Sequence, residues 1–256
     1  MSILAVTNQK SVGKTAIVFN VTHKAADADK SVLIVSLDAQ GSLELVLPKA
    51  DETQTNLMAY ELFEEELPST PLEYLTDKVA FVRARDPRMF DLDTKGEEYV
   101  QRFRKNLRKL AKGFDFCIID TPGRICMPLT ASMAAADVVL CPTSMGLFEL
   151  DALAQLWKFI QSIKKGGLNP QLRLMGILPS LINTKSKDEL KGLEELRESF
   201  GKAVLPLQLS RNAAVHKSII NRRPVWQNTN GQGHRNAAAE WKQVCDFVLT
   251  NMGVLK

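Results

Sequence analysis

The 256-residue chain contains no apolar run near the roughly 18–20 consecutive residues that a membrane span requires. Apolar stretches such as Ala134–Ala136 and Val138–Cys141, with Asp137 between them, fall far short of that. The first residues, Met1-Ser2-Ile3-Leu4, carry neither a basic segment nor a small-residue cleavage site, so a cytoplasmic location is expected rather than secretion. The four cysteines, Cys117, Cys126, Cys141 and Cys245, show no CxxC spacing and sit mostly in apolar runs. They read as reduced core thiols, which argues against thiolate-bound metal and redox chemistry. Glycine and proline number only 14 and 11, which excludes collagen-like, low-complexity and disordered classes. The cationic surplus is small, 33 Lys and Arg against 29 Asp and Glu; it does not argue for nucleic-acid binding, although a local basic face is compatible with it. No internal repeat or Pro/Gly/Ser-rich linker divides the chain.

What is present is a globular composition, 45% hydrophobic and 24% charged, at a length that one core can serve. Residues 1–256 are therefore expected to form a single domain. Apolar runs of strand length occur at Ile3–Thr7, Val32–Leu37, Val79–Ala84, Phe116–Ile119, Val138–Cys141, Leu172–Leu178 and Ala203–Leu207. Most are continuous rather than alternating, as in strands buried on both faces. Helical patterns lie between them at about Lys14–Ala28, Asn56–Glu65, Glu97–Lys112, Leu147–Lys165, Lys187–Phe200 and Asn236–Asn251. The alternation predicts an α/β fold: a doubly wound, mostly parallel sheet with helices on both faces, whose ligands bind at the carboxyl ends of the strands. Residues 48–96 are the least regular part, and the charges there, including Glu64–Glu66, Arg83, Arg85 and Arg88, read as a solvated face.

After the first strand comes Asn8-Gln9-Lys10-Ser11-Val12-Gly13-Lys14-Thr15, followed by the apolar helical run Ala16-Ile17-Val18-Phe19. Such a strand–loop–helix cradles nucleotide phosphates, because backbone N–H groups and the positive helix end face the anion. Gly13 allows close approach, Lys14 supplies a point charge for the β- and γ-phosphates, and Thr15 offers a hydroxyl to Mg²⁺. Asn8 stands where a Walker A loop begins with glycine; asparagine visits positive φ more readily than other non-glycine residues. Two carboxylates end strands: Asp38 in Ser36-Leu37-Asp38-Ala39-Gln40-Gly41, and Asp120 in Phe116-Cys117-Ile118-Ile119-Asp120-Thr121-Pro122-Gly123. Asp38 is suited to orienting an attacking water, and Asp120 to polarising water or holding Mg²⁺. The expected metal ligands are Thr15, Asp38 and Asp120.

These segments resemble the deviant Walker A ATPases, the ParA/MinD family, over almost the whole chain. The family's K-G-G-x-G-K-T is similar to Lys10–Thr15, its D-P-Q-G to Asp38–Gly41 and its I-I-D-x-P to Ile118–Pro122. Further on, Ala135–Pro142 resembles A-A-D-x-V-L-I-P, Leu150–Leu156 the helix that follows it, and Ser210-Arg211-Asn212 and Arg223-Pro224-Val225 resemble I-P-R-N and G-K-P-V. The resemblance implies an ATP- and Mg²⁺-dependent switch, an ATPase with slow, adaptor-stimulated turnover. Such a switch closes into an ATP sandwich homodimer, coats DNA non-specifically on the nucleoid, and is released by a ParB-like or other cargo adaptor. It also implies nucleotide contacts from Gln9, Lys10, Ser11, Val12, Gly13, Lys14, Thr15, Ala16, Asn183, Ser210 and Arg211. The family's signature lysine, which acts on the partner's nucleotide, has two assignments here. With one loop residue missing it is Lys10; in a gapless register Gln9 holds its place. Ser36 replaces the family's first aspartate before Leu37.

A nucleotide-dependent scaffold with weak or absent hydrolysis is the alternative from a different class, and a MinD-like membrane-associated ATPase is another. A membrane helix would need several cations beside its apolar face, whereas the segment 246–256 has one lysine, and Trp241, Val244, Phe247 and Val248 read as a core-facing stripe. No stable membrane association is expected. For non-specific DNA binding, which requires Lys and Arg on one face, the candidates are Lys185, Lys187, Lys217, Arg222, Arg223 and Arg235.

Overall fold

The structure, a computed structural model, describes residues 1–8, 12–48 and 53–255, the side chains of residues 147 and 148 excepted. The expectations placed on Gln9, Lys10 and Ser11 lie outside the described residues. Strands β1 (Ser2–Val6), β2 (Val32–Ser36), β3 (Glu73–Thr76), β4 (Val79–Val82), β5 (Phe116–Asp120), β6 (Val138–Thr143) and β7 (Arg173–Pro179) form one sheet in the order β3-β4-β2-β5-β1-β6-β7. β3 runs antiparallel to β4 and every other pairing is parallel. This is the expected doubly wound architecture with an antiparallel edge.

Successive side chains of a strand point to opposite faces, and that alternation separates two cores. Ile3, Ala5, Leu33, Val35, Cys117 and Ile119 pack on one face against α3 (Glu98–Ala111), α4 (Met127–Ala135) and α5 (Leu147–Lys165). Leu4, Val6, Ile34, Phe116, Ile118 and Leu140 pack on the other, against α1 (Lys14–Asp27) and α8 (Gly231–Asn251). The C-terminal stripe faces this second core: Trp241, Val244 and Val248 are buried, with Phe247 half-buried beside them. Among the described residues no helix is long and apolar enough to cross a membrane. All four cysteines are free and buried. Burial raises the thiol pKa of each, that of Cys141 to about 12, so none is poised as a thiolate nucleophile.

Short elements complete the chain: α2 (Ser42–Val46), α6 (Lys187–Phe200), α7 (Ala213–Ile220), and 3₁₀ turns at Ala59–Phe63, Pro87–Thr94 and Gly201–Ala203. Three expectations need correction. Ala203–Leu207 is not a strand: Pro206 lacks a donor for a ladder, and the segment pairs with β7 as the isolated Ile177–Val204 bridge rather than as a ladder. The helix expected over Asn56–Glu65 is a 3₁₀ turn at Ala59–Phe63. The charges of residues 48–96 are not all solvated. Arg83 is buried, with Nε 2.5 Å and Nη2 2.6 Å from the Glu73 carboxylate, and Arg88 lies over the Tyr60 ring.

Candidate nucleotide-binding site

Parallel register brings Lys14, Thr15, Asp38 and Asp120 to one edge of the sheet. Val6 of β1 and Ser36 of β2 are both paired with Asp120 of β5, so the three strands end level and their following loops share one edge. Gly13 caps α1 in the left-handed region (φ 87°, ψ 19°), a conformation that glycine adopts without strain. No side chain caps this helix start and its first turn carries no acidic residue, leaving first-turn N–H groups for a ligand. A Cβ at position 13 would approach the Ser180 hydroxyl to 3.4 Å, so the space beside the loop is already close-fitting.

Behind the loop, Thr15 Oγ1 donates to Asp120 Oδ2 at 3.1 Å, and Lys14 Nζ donates to the Asn8 carbonyl at 2.9 Å. Asn8 is itself fixed by its amide to the Pro142 carbonyl, 2.5 Å away. Burial holds the Lys14 ammonium below its ordinary pKa, opposed by the charges of Asp120 and Asp38. Burial pushes the Asp120 carboxyl up to about 7, opposed by Lys14 and by the Thr15 hydrogen bond. Asp120 Oδ1 is buried without a hydrogen-bond partner, which is unusual for a carboxylate this deep. A hard divalent cation that takes oxygen ligands meets that need, so the Thr15 and Asp120 oxygens fit Mg²⁺.

Asp38 follows β2, its carboxylate receiving the Gln40 N–H at 3.1 Å, and the turn closes through Gly41 N–H to the Asp38 carbonyl at 2.9 Å. Glu44 of α2 anchors the turn by accepting the Ala84 N–H at 2.8 Å, leaving its second oxygen buried and unpartnered. Burial raises the Glu44 pKa. A cavity of about 680 Å³ opens over these loops, lined by Val12 to Ala16, Leu37 to Gln40, Ser42, Pro122 to Arg124 and others. Its size suits a nucleotide.

Asn183, Ser210 and Arg211 cluster at the end of β7 and do not line that cavity. The Asn183 side chain accepts the Lys185 N–H, Ser210 gives its N–H and hydroxyl to the Glu240 carboxylate, and Arg211 reaches the Leu181 carbonyl and Glu189. Lys185, Lys187, Lys217, Arg222 and Arg223 are all exposed, and none is in an ion pair among the described residues. Sequence reasoning missed the far wall of the cavity, made by Met89 and Phe90 of the Pro87–Thr94 turn with Arg124. The available signal was the arginine directly after Asp120-Thr121-Pro122-Gly123.

A family model described as an AAA domain matches residues 1–174. The chromosome partitioning protein ParA of Myxococcus xanthus is 30% identical over 229 residues, covering 87% of this chain and 80% of the relative. Among solved structures, the ATP complex of Cyanothece McdA superposes with a TM-score of 0.81 at 19% identity, covering 97% of this chain and 96% of that one. Cobyrinic acid a,c-diamide synthase from Mycobacterium smegmatis, with bound ADP and magnesium, gives 0.78 at 22% identity and covers 98% and 95%. At those identities the two structures establish a shared fold.

Proposed function

The chain belongs to the ParA/MinD family of deviant Walker A ATPases, and from that premise we propose that it is an ATP-dependent switch that partitions plasmid or chromosomal DNA or positions another intracellular cargo. The observation that carries this reading is the Thr15–Asp120 hydrogen bond beneath the cavity, with Lys14 beside it and Asp120 Oδ1 unpartnered. In this reading residues 1–256 are one ATPase domain. Val12 to Ala16 hold the phosphates, with Gln9, Lys10 and Ser11 completing the loop. Thr15, Asp38 and Asp120 hold Mg²⁺, which supplies neutralisation of phosphate charge. Asp38 orients the attacking water and Lys10 acts on the partner's nucleotide; Asn183, Ser210 and Arg211 contribute further nucleotide contacts.

ATP closes a homodimer over the cavity mouth. The exposed apolar residues Leu45, Phe90, Ile125 and Ile220, each at or next to a residue lining the cavity, support a second copy there. The dimer then binds DNA of any sequence through Lys185, Lys187, Lys217, Arg222 and Arg223, and an adaptor of the ParB type or another cargo adaptor stimulates slow hydrolysis. The switch works on the nucleoid in the cytoplasm, and burial of the α8 stripe supports an account without stable membrane association.

Light scattering with a non-hydrolysable ATP analogue tests the reading: mass should double with the analogue and Mg²⁺, and the doubled species should retain duplex DNA at low salt. A monomer at saturating analogue would favour a degenerate loop that does not close the dimer, and ATP turnover with and without DNA and adaptor separates the switch from the scaffold alternative. If Gln9→Ala impairs turnover more than Lys10→Ala, Gln9 rather than Lys10 holds the signature position.

A further inference from the structure

Among the described residues lining the cavity there are two cations, Lys14 and Arg124. The Lys14 ammonium is buried and already bonded to the Asn8 carbonyl. Arg124 is placed differently. It stands on the loop between β5 and α4, four residues past Asp120, with its side chain 62% exposed and Nη1 2.7 Å from Oδ2 of Asp93. Asp93 belongs to the Pro87–Thr94 turn, whose Met89 and Phe90 form the far wall, and its other oxygen accepts the N–H of Met127, first residue of α4, at 2.8 Å. Asp93 therefore has a second partner that holds it when Arg124 leaves.

We propose that Arg124 reads the terminal phosphate: in the triphosphate complex its guanidinium moves from Asp93 to phosphate oxygens, and with the diphosphate it stays on Asp93. The proposal rests on the nucleotide reading above and adds a residue which that reading does not use. An exposed ion pair contributes little to stability, so leaving it costs little. A guanidinium matches phosphate oxygens bidentately, and a phosphate carries more charge than one carboxylate. The exchange is thus driven by the extra phosphoryl group. It also removes one of the two ties from the turn bearing Phe90, 64% exposed beside the mouth, to the β5–α4 segment, the Asp93–Met127 bond remaining.

Calorimetry with a non-hydrolysable ATP analogue and with ADP, both with Mg²⁺, tests this on wild type, Arg124→Ala, Arg124→Lys and Asp93→Asn, with Lys14→Ala as reference. Arg124→Ala should weaken the triphosphate roughly ten- to a hundredfold and leave ADP unchanged, and Arg124→Lys should recover part of the loss. Asp93→Asn breaks the same pair from the other side yet should strengthen triphosphate binding, because the competing carboxylate is gone. A merely structural pair would make both variants shift in the same direction. Parallel loss in Arg124→Ala and Asp93→Asn, or equal weakening of ATP and ADP in Arg124→Ala, overturns the proposal. If Lys14→Ala loses the triphosphate while Arg124→Ala does not, only the Arg124 proposal falls. Wild-type affinity in Lys14→Ala would remove the nucleotide reading itself.

Discussion

At the amino ends of the strands, most polar groups are matched with partners, the Nε of Arg108 being an exception. Asp137 accepts the Ile3 N–H at 2.8 Å and pairs with Arg108 at 2.7 Å. The buried Asn169 amide donates to the carbonyls of Met133 and Ala136, and Asp115 is bonded to both the N–H and the hydroxyl of Ser31. At the carboxyl ends the pattern reverses: Thr7 Oγ1, Asn8 Oδ1, Ser36 Oγ, Glu44 Oε2 and Asp120 Oδ1 are buried with no hydrogen-bond partner, where the only others among the described residues are Thr22 Oγ1 and Arg108 Nε. An unsatisfied buried group costs stability, so its concentration at one end marks where the fold yields stability to a ligand. Unpartnered buried groups are few at one end of the sheet and gather at the other, where a ligand would complete them.

The sharpest break in that contrast is Lys14→Ala, which should lower triphosphate affinity roughly a hundredfold or more, read by calorimetry. Asp38→Ala should lower turnover by roughly a hundredfold while leaving ATP binding largely intact, because a water-orienting group acts mainly in the transition state. Next comes stability. Asp137→Ala should cost about 1–2 kcal/mol, since it strands the Ile3 N–H and the Arg108 guanidinium, whereas Asp120→Ala should leave the nucleotide-free protein at least as stable as wild type. Denaturant titration of both variants compares the two ends directly.

A finer effect lies in pH. Folding raises the Asp120 carboxyl to about 7, so the proton-bound form is favoured in the folded state. That contribution is fully present below about pH 4 and is lost as pH rises through about 7. The melting temperature of the nucleotide-free protein should therefore carry a declining component between about pH 5 and pH 7.5 that Asp120→Ala removes; an unchanged slope would place the titration elsewhere. Smallest is the DNA term. Arg222→Ala/Arg223→Ala should reduce the log–log salt slope of binding by about 0.9 for each phosphate that is no longer neutralised, alike on any duplex, without altering nucleotide affinity.

The sequence made the interior of the sheet legible because strands buried on both faces are continuous apolar runs, as in Val32–Val35 and Phe116–Ile119. It hid β3, which has alternating half-buried and exposed residues at the edge, and α4, whose Met127–Ala135 is apolar almost all round and so lacks a helical stripe. The same division holds for the site. Lys14, Thr15, Asp38 and Asp120 are candidates from local pattern, because each follows or ends a strand. The wall formed by Met89, Phe90 and Arg124 was not, because it is assembled across the sheet edge by an irregular turn whose position is set by tertiary contacts such as Arg124–Asp93. Glu44 stands in no motif of the sequence, and the fold buries it against Ala84.

The most direct test of the central contrast is thermal unfolding of wild type, Asp120→Ala and Lys14→Ala with and without ATP and Mg²⁺. A ligand that binds only the folded state adds about 2.7 kcal/mol at a hundredfold excess over its dissociation constant, so the wild-type melting temperature should rise by several degrees. Most of that rise should vanish in Lys14→Ala, and in Asp120→Ala the part that depends on Mg²⁺ should vanish. An equal rise in all three proteins would contradict the claim that the unpartnered groups at the carboxyl ends of the strands are the nucleotide and metal site.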